Sequence, residues 1–173
     1  MKVQVENAYR LLHPRPVVLI CAERNFMACS WITPVSDEPF TIAASIWKGN
    51  YTYELIERSG VFTVNIPQPE LLNEVWIAGT KSGRKVDKAK LTNLKLEKAR
   101  KIDCYIIANC LANLECIVKN KVEVGENVVY LAEVVDAYAN EGSFDKIWKT
   151  KILLHLGGRD FVTFSEPIKP KIR

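Results

Sequence analysis

The segment WIAGTKSGRKVDK, residues 76–88, gathers Gly79, Thr80, Ser82 and Gly83 among Lys81, Arg84, Lys85 and Lys88. Glycine amides, hydroxyls and cations in one short loop are what a phosphate needs. A Walker A loop, GxxxxGK[ST], is excluded: Thr80 separates Gly79 from Lys81, the Gly79–Gly83 spacing is one residue too short, and the preceding PELLNE reads as helix rather than strand. On these residues alone two accounts remain. Gly79 ends a helix and Ser82, Gly83 and Arg84 are offered to an anion, or the loop is merely solvated.

The remaining reactive side chains point away from metal and thiol chemistry. Cys21, Cys29, Cys104, Cys110 and Cys116 are odd in number and include no C-x-x-C pair, and only His13 and His155 could join them, so neither a zinc site nor a redox dithiol is expected. Cys104, Cys110 and Cys116 recur every six residues, which on an extended chain places them on one face as buried, reduced thiols.

A chain of 173 residues with 48% hydrophobic content suits one domain with a substantial core. A net charge of +4 is too mild for a dedicated nucleic-acid binder but suits an anionic small ligand. The N-terminal apolar run, Val17 to Ala22, is too short for a signal peptide or a membrane span, so a soluble, cytoplasmic protein is expected.

These residues need elements to position them. RPVVLICAE and FTIAASI read as strands, the latter alternating Ile42, Ala44 and Ile46 against Thr41, Ala43 and Ser45. Between them a strand passes through Trp31 and Ile32, and Pro34 with SDEP marks a turn. NYTYELIERSG predicts a helix capped by Thr52 and ended by Gly60. VFTVNI alternates Phe62, Val64 and Ile66 against Val61, Thr63 and Asn65; a helix follows from about Glu70 to Ala78, and VDKAKL permits another short one. Residues 102–139 read as a long hairpin about GEN, and the proline-broken, basic tail as extended chain on the surface. Short strands without β-α-β alternation, and no GxGxxG, predict a mainly β fold: an antiparallel sheet curled into a barrel with attached helices.

Taken in order, RPVVLI, CSWITPVSDEPFTIAASI, YTYELIERSGVFTVNIP, WIAGTKSGRKVDK, ANLECIV and LLHLGG resemble the flavin reductase-like family of FMN-binding split barrels, most closely its flavoredoxin branch. The resemblance runs from Arg15 to Phe161. It implies a six-stranded antiparallel split barrel of Greek-key type, one domain over 1–173 with its barrel over about 15–161 and a tail over 162–173, assembled as a homodimer with FMN partly under the neighbouring subunit. The opening loop would then hold the FMN phosphate.

The resemblance brings three segments to the cofactor. Ser30, Trp31, Ile32 and Thr33 would line the flavin; Ser45, Ile46, Lys48, Asn50, Tyr51 and Thr52 would approach its ring and phosphate; and Lys81, Ser82, Gly83, Arg84 and Lys88 would reach the ribityl-phosphate end. The hydroxyls of Ser30 and Thr33 could bond the ring's polar edge, although a strand serine needs no ligand. Trp31 could cover the ring or a neighbouring subunit, or fill the core. Thr52 could serve phosphate, helix cap or both, and the helix start adds unpaired amides. Arg84 offers two parallel N–H donors to a phosphate. Many relatives have arginine where this chain has Asn50, which leaves Lys48 or Arg84 as the substitute cation. His155, ahead of Gly157-Gly158, is the catalytic candidate, able to orient a substrate or trade a proton, or else structural. The tyrosine pair that relatives place after the glycines is replaced by Asp160 and Phe161.

The implied activity is hydride transfer from NADH or NADPH to FMN, and onward to a flavin, a partner monooxygenase or a redox protein. The cofactor carries the chemistry, so no acid–base triad is required. The rivals are a non-catalytic FMN-binding electron carrier or flavin store, and a barrel that binds single-stranded nucleic acid.

Overall fold

The computed structural model describes residues 2–168 and 170. Seven strands, rather than the six expected, form the main sheet: β1 (Val18–Ala22), β2 (Asn25–Cys29), β3 (Ile32–Asp37), β4 (Phe40–Trp47), β5 (Val61–Ile66), β6 (Ala112–Val124) and β7 (Asn127–Ala139). Their order across the sheet is β2-β1-β5-β6-β7-β4-β3, and every pairing is antiparallel. The fold is therefore mainly β, as the strand pattern predicts.

The curl of the sheet follows from its connectivity. A flat sheet of seven strands would be about 29 Å wide. Yet the edge strands β2 and β3 are consecutive in the chain, joined only by Ser30 and Trp31, a link that spans at most about 11 Å. The two edges must therefore approach each other, leaving a seam between strands that share no ladder. The Ser45 amide donates to the Trp31 carbonyl at 2.8 Å, which ties the link to β4.

Both faces of the sheet are covered. All five residues of β1 are buried: Val18, Ile20 and Ala22 join the inner cluster with Phe62, Val64 and Tyr130, while Leu19 and Cys21 join an outer one. Helix α1 (Tyr51–Ser59) adds Leu55 and Ile56 to the inner cluster. Helix α2 (Leu72–Thr80) and the 3-10 turn that leads into it lay Leu71, from the turn, and Val75 and Ala78, from the helix, on the outer one at spacings of four and three residues. Covering both faces also explains a departure on β5, where Thr63 and Asn65 are as buried as Phe62 and Val64. Asn65 is satisfied there by the Leu19 carbonyl at 2.9 Å and the Ile107 amide at 2.8 Å.

Four local expectations are corrected. Pro34 does not turn the chain but lies within β3, which is tolerated because β3 is an edge strand and its register shifts between Pro34 and Ser36. Gly79 does not end α2, which continues to Thr80; a Cβ on Gly79 would stand 3.3 Å from that of Ala28, so the glycine lets the helix lie close to β2. Asn50, not Thr52, occupies the N-cap of α1. The Cys104, Cys110 and Cys116 thiols are free and buried, but only Cys116 lies on a strand, so they share no face. Gly60 does end α1, with φ of 69° and its amide on the Ile56 carbonyl.

The hairpin β6–β7 turns at Gly125 and Glu126, within the expected GEN. Beyond it, β8 (Leu154–Gly157) pairs on one side with Arg15–Pro16 and on the other with β9 (Asp160–Val162). This small sheet sets His155 opposite Arg15. The last part of the basic tail, including Lys169 and residues 171–173, lies outside the described residues.

Candidate functional site

A groove runs along the outer edge of β2, walled by α2. Its first half, about 300 Å³, is bounded by Asn25, Met27 and Ala28 of β2, by Trp47 and residues 49–52 at the start of α1, and by Ala78 to Gly83 with Lys88. Its second half, about 220 Å³, shares Ala28, Gly79 and Thr80 and adds Val17, Cys29, Ser30, Val75, Trp76, His155, Gly158 and Phe161. One end is rich in amides, hydroxyls and lysines; the other is mostly apolar.

Lys88 dominates the polar end electrostatically. Helix α3 (Lys88–Leu91), capped by Asp87, turns its side chain inward until it is 5% exposed, and Nζ donates to the carbonyls of Phe26 at 2.7 Å and Ala78 at 2.8 Å. Among the described residues no carboxylate pairs with it. Burial lowers its pKa to about 8. A buried ammonium with three donors, two of them on neutral oxygens, leaves one N–H and a full charge for an anion.

The start of α1 adds to this. By helix geometry the amides of Tyr51 and Thr52 have no carbonyl one turn back, and the helix dipole favours negative charge there. Thr52 is 1% exposed, and its hydroxyl accepts from the Asn25 carboxamide at 2.8 Å, which leaves its own hydrogen to donate. Gly83 closes the cradle: a Cβ there would collide with the Asn25 carboxamide and stand 3.0 Å from the Tyr51 ring.

Two of the other cations expected at the phosphate are held elsewhere. Arg84 donates to the Gly49 carbonyl at 2.8 Å and the Glu54 carboxylate at 2.5 Å, binding the loop to α1. Lys48 pairs with Glu123 at 2.5 Å. Lys81, exposed at the rim, and Lys88 border the groove, as do Ser82, Gly83, Asn50, Tyr51 and Thr52. Ser82 turns its oxygens to the loop, its carbonyl accepting the amides of Lys85 and Val86.

Of the ring-lining candidates, Ser30 borders the apolar half. Trp31 is 42% exposed, which removes it from the core, and lies beside Tyr9 with the Arg15 guanidinium 5.3 Å from its ring. Thr33 is exposed, with its hydroxyl on the Pro34 carbonyl at 3.4 Å, and Ile32 packs against the inner cluster. Ile46 is fully buried inside the barrel, so its side chain is not available to a ligand; Ser45, its neighbour, is half-buried.

His155 has a defined tautomer. The Gly158 carbonyl, 3.3 Å away, can only accept, so Nε2 carries the hydrogen and Nδ1 accepts from the Ser30 hydroxyl, also at 3.3 Å. Burial lowers its pKa, and the neighbouring His13, Arg15 and Arg10 act in the same direction against the Gly158 bond, which favours the neutral ring. Cys29, beside Ser30, has its pKa raised to about 11 by burial and is an inert wall.

Spacing alone does not reveal Asn25, Ala28, Trp76, Thr80 and Phe161. Asn25 reads as a hairpin residue, and Ala28 carries no functional side chain. Its signal lies in the ladder: because Phe26 turns its carbonyl outward to Lys88, Ala28, two residues on, turns its backbone polar groups the same way, into the groove.

Comparison with known proteins identifies the family and the fold. The flavin reductase-like domain family matches residues 9–162. An uncharacterised protein of Archaeoglobus fulgidus is 34% identical over 173 residues, covering 95% of this chain and 97% of its own. The crystal structure of a flavoredoxin from Methanosarcina acetivorans is 25% identical, with a TM-score of 0.85, and the match covers 100% of this chain and 96% of that one. An FMN-binding protein from Thermus thermophilus shares the fold at a TM-score of 0.87 and 21% identity, over 98% of each chain.

Proposed function

Since the chain belongs to the flavin reductase-like family, near flavoredoxin, we propose that it is an FMN-dependent oxidoreductase that takes electrons from a nicotinamide dinucleotide and passes them to a flavin or a redox protein. The observation that carries this is Lys88: a buried ammonium that pairs with no carboxylate among the described residues and faces a groove beside unpaired helix amides is suited to an anion. The two halves of the groove together offer about 520 Å³, room for a nucleotide-sized ligand.

In this proposal Lys88, Lys81, Thr52 and the first amides of α1 hold the FMN phosphate, with Ser82 and Gly83 shaping the loop. Gly79 and the outward backbone of Ala28 allow a flat ring to lie close to β2, and Ser30, Trp76 and Phe161 border it. Bound FMN supplies the redox chemistry. The chain's own contribution is to orient the two reactants and exclude water from the apolar half. His155, neutral and fixed through Ser30, is the candidate catalytic residue, able to accept or relay a proton at Nδ1 once Ser30 turns to a ligand.

A homodimer is part of the proposal. Trp47 and Val124, in one row of the sheet through Asn127, are 51% and 58% exposed, and Val122 is exposed two rows away, an apolar patch that a second subunit would cover. Five free thiols suit a reducing, cytoplasmic setting.

The test is the visible spectrum of the purified protein under anaerobic conditions. Flavin bands that bleach with NADH or NADPH are expected. Bands that persist with both would convert the proposal to that of an electron carrier reduced by another protein, and a protein that neither contains nor takes up FMN would refute it.

A further inference from the structure

A second set of cations lies at the opposite end of the groove from Lys88. Arg15, on the short strand segment facing β8, stands directly opposite His155, which borders the apolar half. Its Nη2 donates to His13 Nε2 at 2.6 Å; His13 in turn donates from Nδ1 to the Leu156 carbonyl at 2.6 Å. The Arg15 Nε is buried with no partner among the described residues. Arg10 and His13 close on the Cα of Gly157, where a Cβ would stand 3.5 Å from Arg10 Nε and 3.6 Å from His13 Nδ1. Among the described residues no carboxylate pairs with Arg10 or Arg15.

This charge is surplus to the cofactor. FMN carries one phosphate, and Lys88 with the start of α1 already answers it. Asn25, at that end, is separated from Ser30 by the length of β2, about 17 Å at the rise of an extended chain. One phosphate cannot neutralise both ends. The apolar half between them, bordered by Trp76, Phe161 and His155, is where the flavin ring would lie, and its open side leaves a face of that ring on which a second planar ring can stack.

Resting on the FMN reading above, we propose that Arg15, held by His13 and assisted by Arg10, binds the anionic group of the second substrate: a planar compound carrying a phosphate or a carboxylate, its ring stacked on the flavin at the mouth of the apolar half and its charge at this rim. Arginine suits the task because its fork can bond two oxygens at once and Trp31 supports its plane.

The test titrates FMN-loaded protein with inorganic pyrophosphate, with benzoate and with its neutral counterpart benzamide, followed by calorimetry and by difference spectra of the flavin. Saturable binding is expected for pyrophosphate if the group is a phosphate and for benzoate if it is a carboxylate, with benzamide weaker than benzoate. Arg15→Gln should weaken the anion that binds by about tenfold or more, equivalent to about 1.4 kcal/mol, while FMN affinity, measured by fluorescence quenching, stays within about twofold. Arg10→Gln, at the surface, should give a smaller loss in the same direction and guards against a folding defect in the first variant. Anion binding unchanged in both variants, benzamide equal to benzoate with no pyrophosphate binding, or FMN affinity lost together with anion affinity would each overturn the proposal. Failure of the wild-type protein to bind FMN would refute the cofactor reading instead, and pyrophosphate titration of that apoprotein compared with its Arg15→Gln variant, in which the Lys88 end is unchanged, would still decide for or against the Arg15 site.

Discussion

At the level of single residues the site is governed by where charge is left uncompensated. Lys88→Met should weaken FMN binding by about 2 kcal/mol, roughly thirtyfold, because a charge-assisted phosphate contact is lost, whereas Lys48→Met, whose ammonium is already on Glu123, should change it little. Fluorescence titration of both variants checks this. The pH dependence has a definite sign. Lys88 has a folded-state pKa of about 8, below the unfolded value of 10.5, so between these values the unfolded apoprotein binds more protons and stability rises with pH. The destabilisation is fully present below pH 8 and gone above about 10.5. Wild type minus Lys88→Met, compared by urea unfolding, isolates it. FMN affinity should fall as pH rises through about 8, as the ammonium is lost from the free folded protein. The sequence made Lys88 one cation among several and favoured Arg84, because residue type shows which groups can bond a phosphate but not which are already bonded. Glu54 and Glu123, which occupy Arg84 and Lys48, are distant in sequence from them, and only folding introduces them.

At the level of elements, the groove depends on close approach of backbone. Gly83→Ala would drive a methyl into the Asn25 carboxamide, break its bond to Thr52 and lift the loop from α1. FMN affinity should drop by about tenfold or more, with a stability loss of about 1–3 kcal/mol, measured by fluorescence titration and urea unfolding of the same sample. The elements themselves were largely legible. The alternation in FTIAASI, the GEN turn and the glycine after IERS each appear in the fold at their expected places. What misled was punctuation whose meaning depends on neighbours: Pro34 signals a turn unless the strand is an edge, and Gly79 signals a helix end unless another backbone lies against it. Neither the edge nor the neighbour is a local property of the sequence.

For the whole molecule, stability lies in the two clusters on either side of β1. Phe62, fully buried in the inner cluster, should cost about 3–5 kcal/mol when truncated to alanine, read as a shift of the urea midpoint. The barrel class could be anticipated from short strands without β-α-β alternation, but the strand order could not, because it is set by pairings such as β5 with β6 that bridge about fifty residues of chain. The two-residue link between β2 and β3 has one more consequence. It staples together two edges that share no ladder of hydrogen bonds, and the groove lies along one of those edges. A ligand can therefore come and go without breaking a single rung of the sheet. Exchange of the cofactor is thereby separated from unfolding: amide protons of β5, β6 and β7 should trade with deuterium at the same slow pace with the groove empty or filled, while those of Ala28 and of the first turn of α1 should respond to occupancy, so that the protein's durability and its traffic in ligand can change independently.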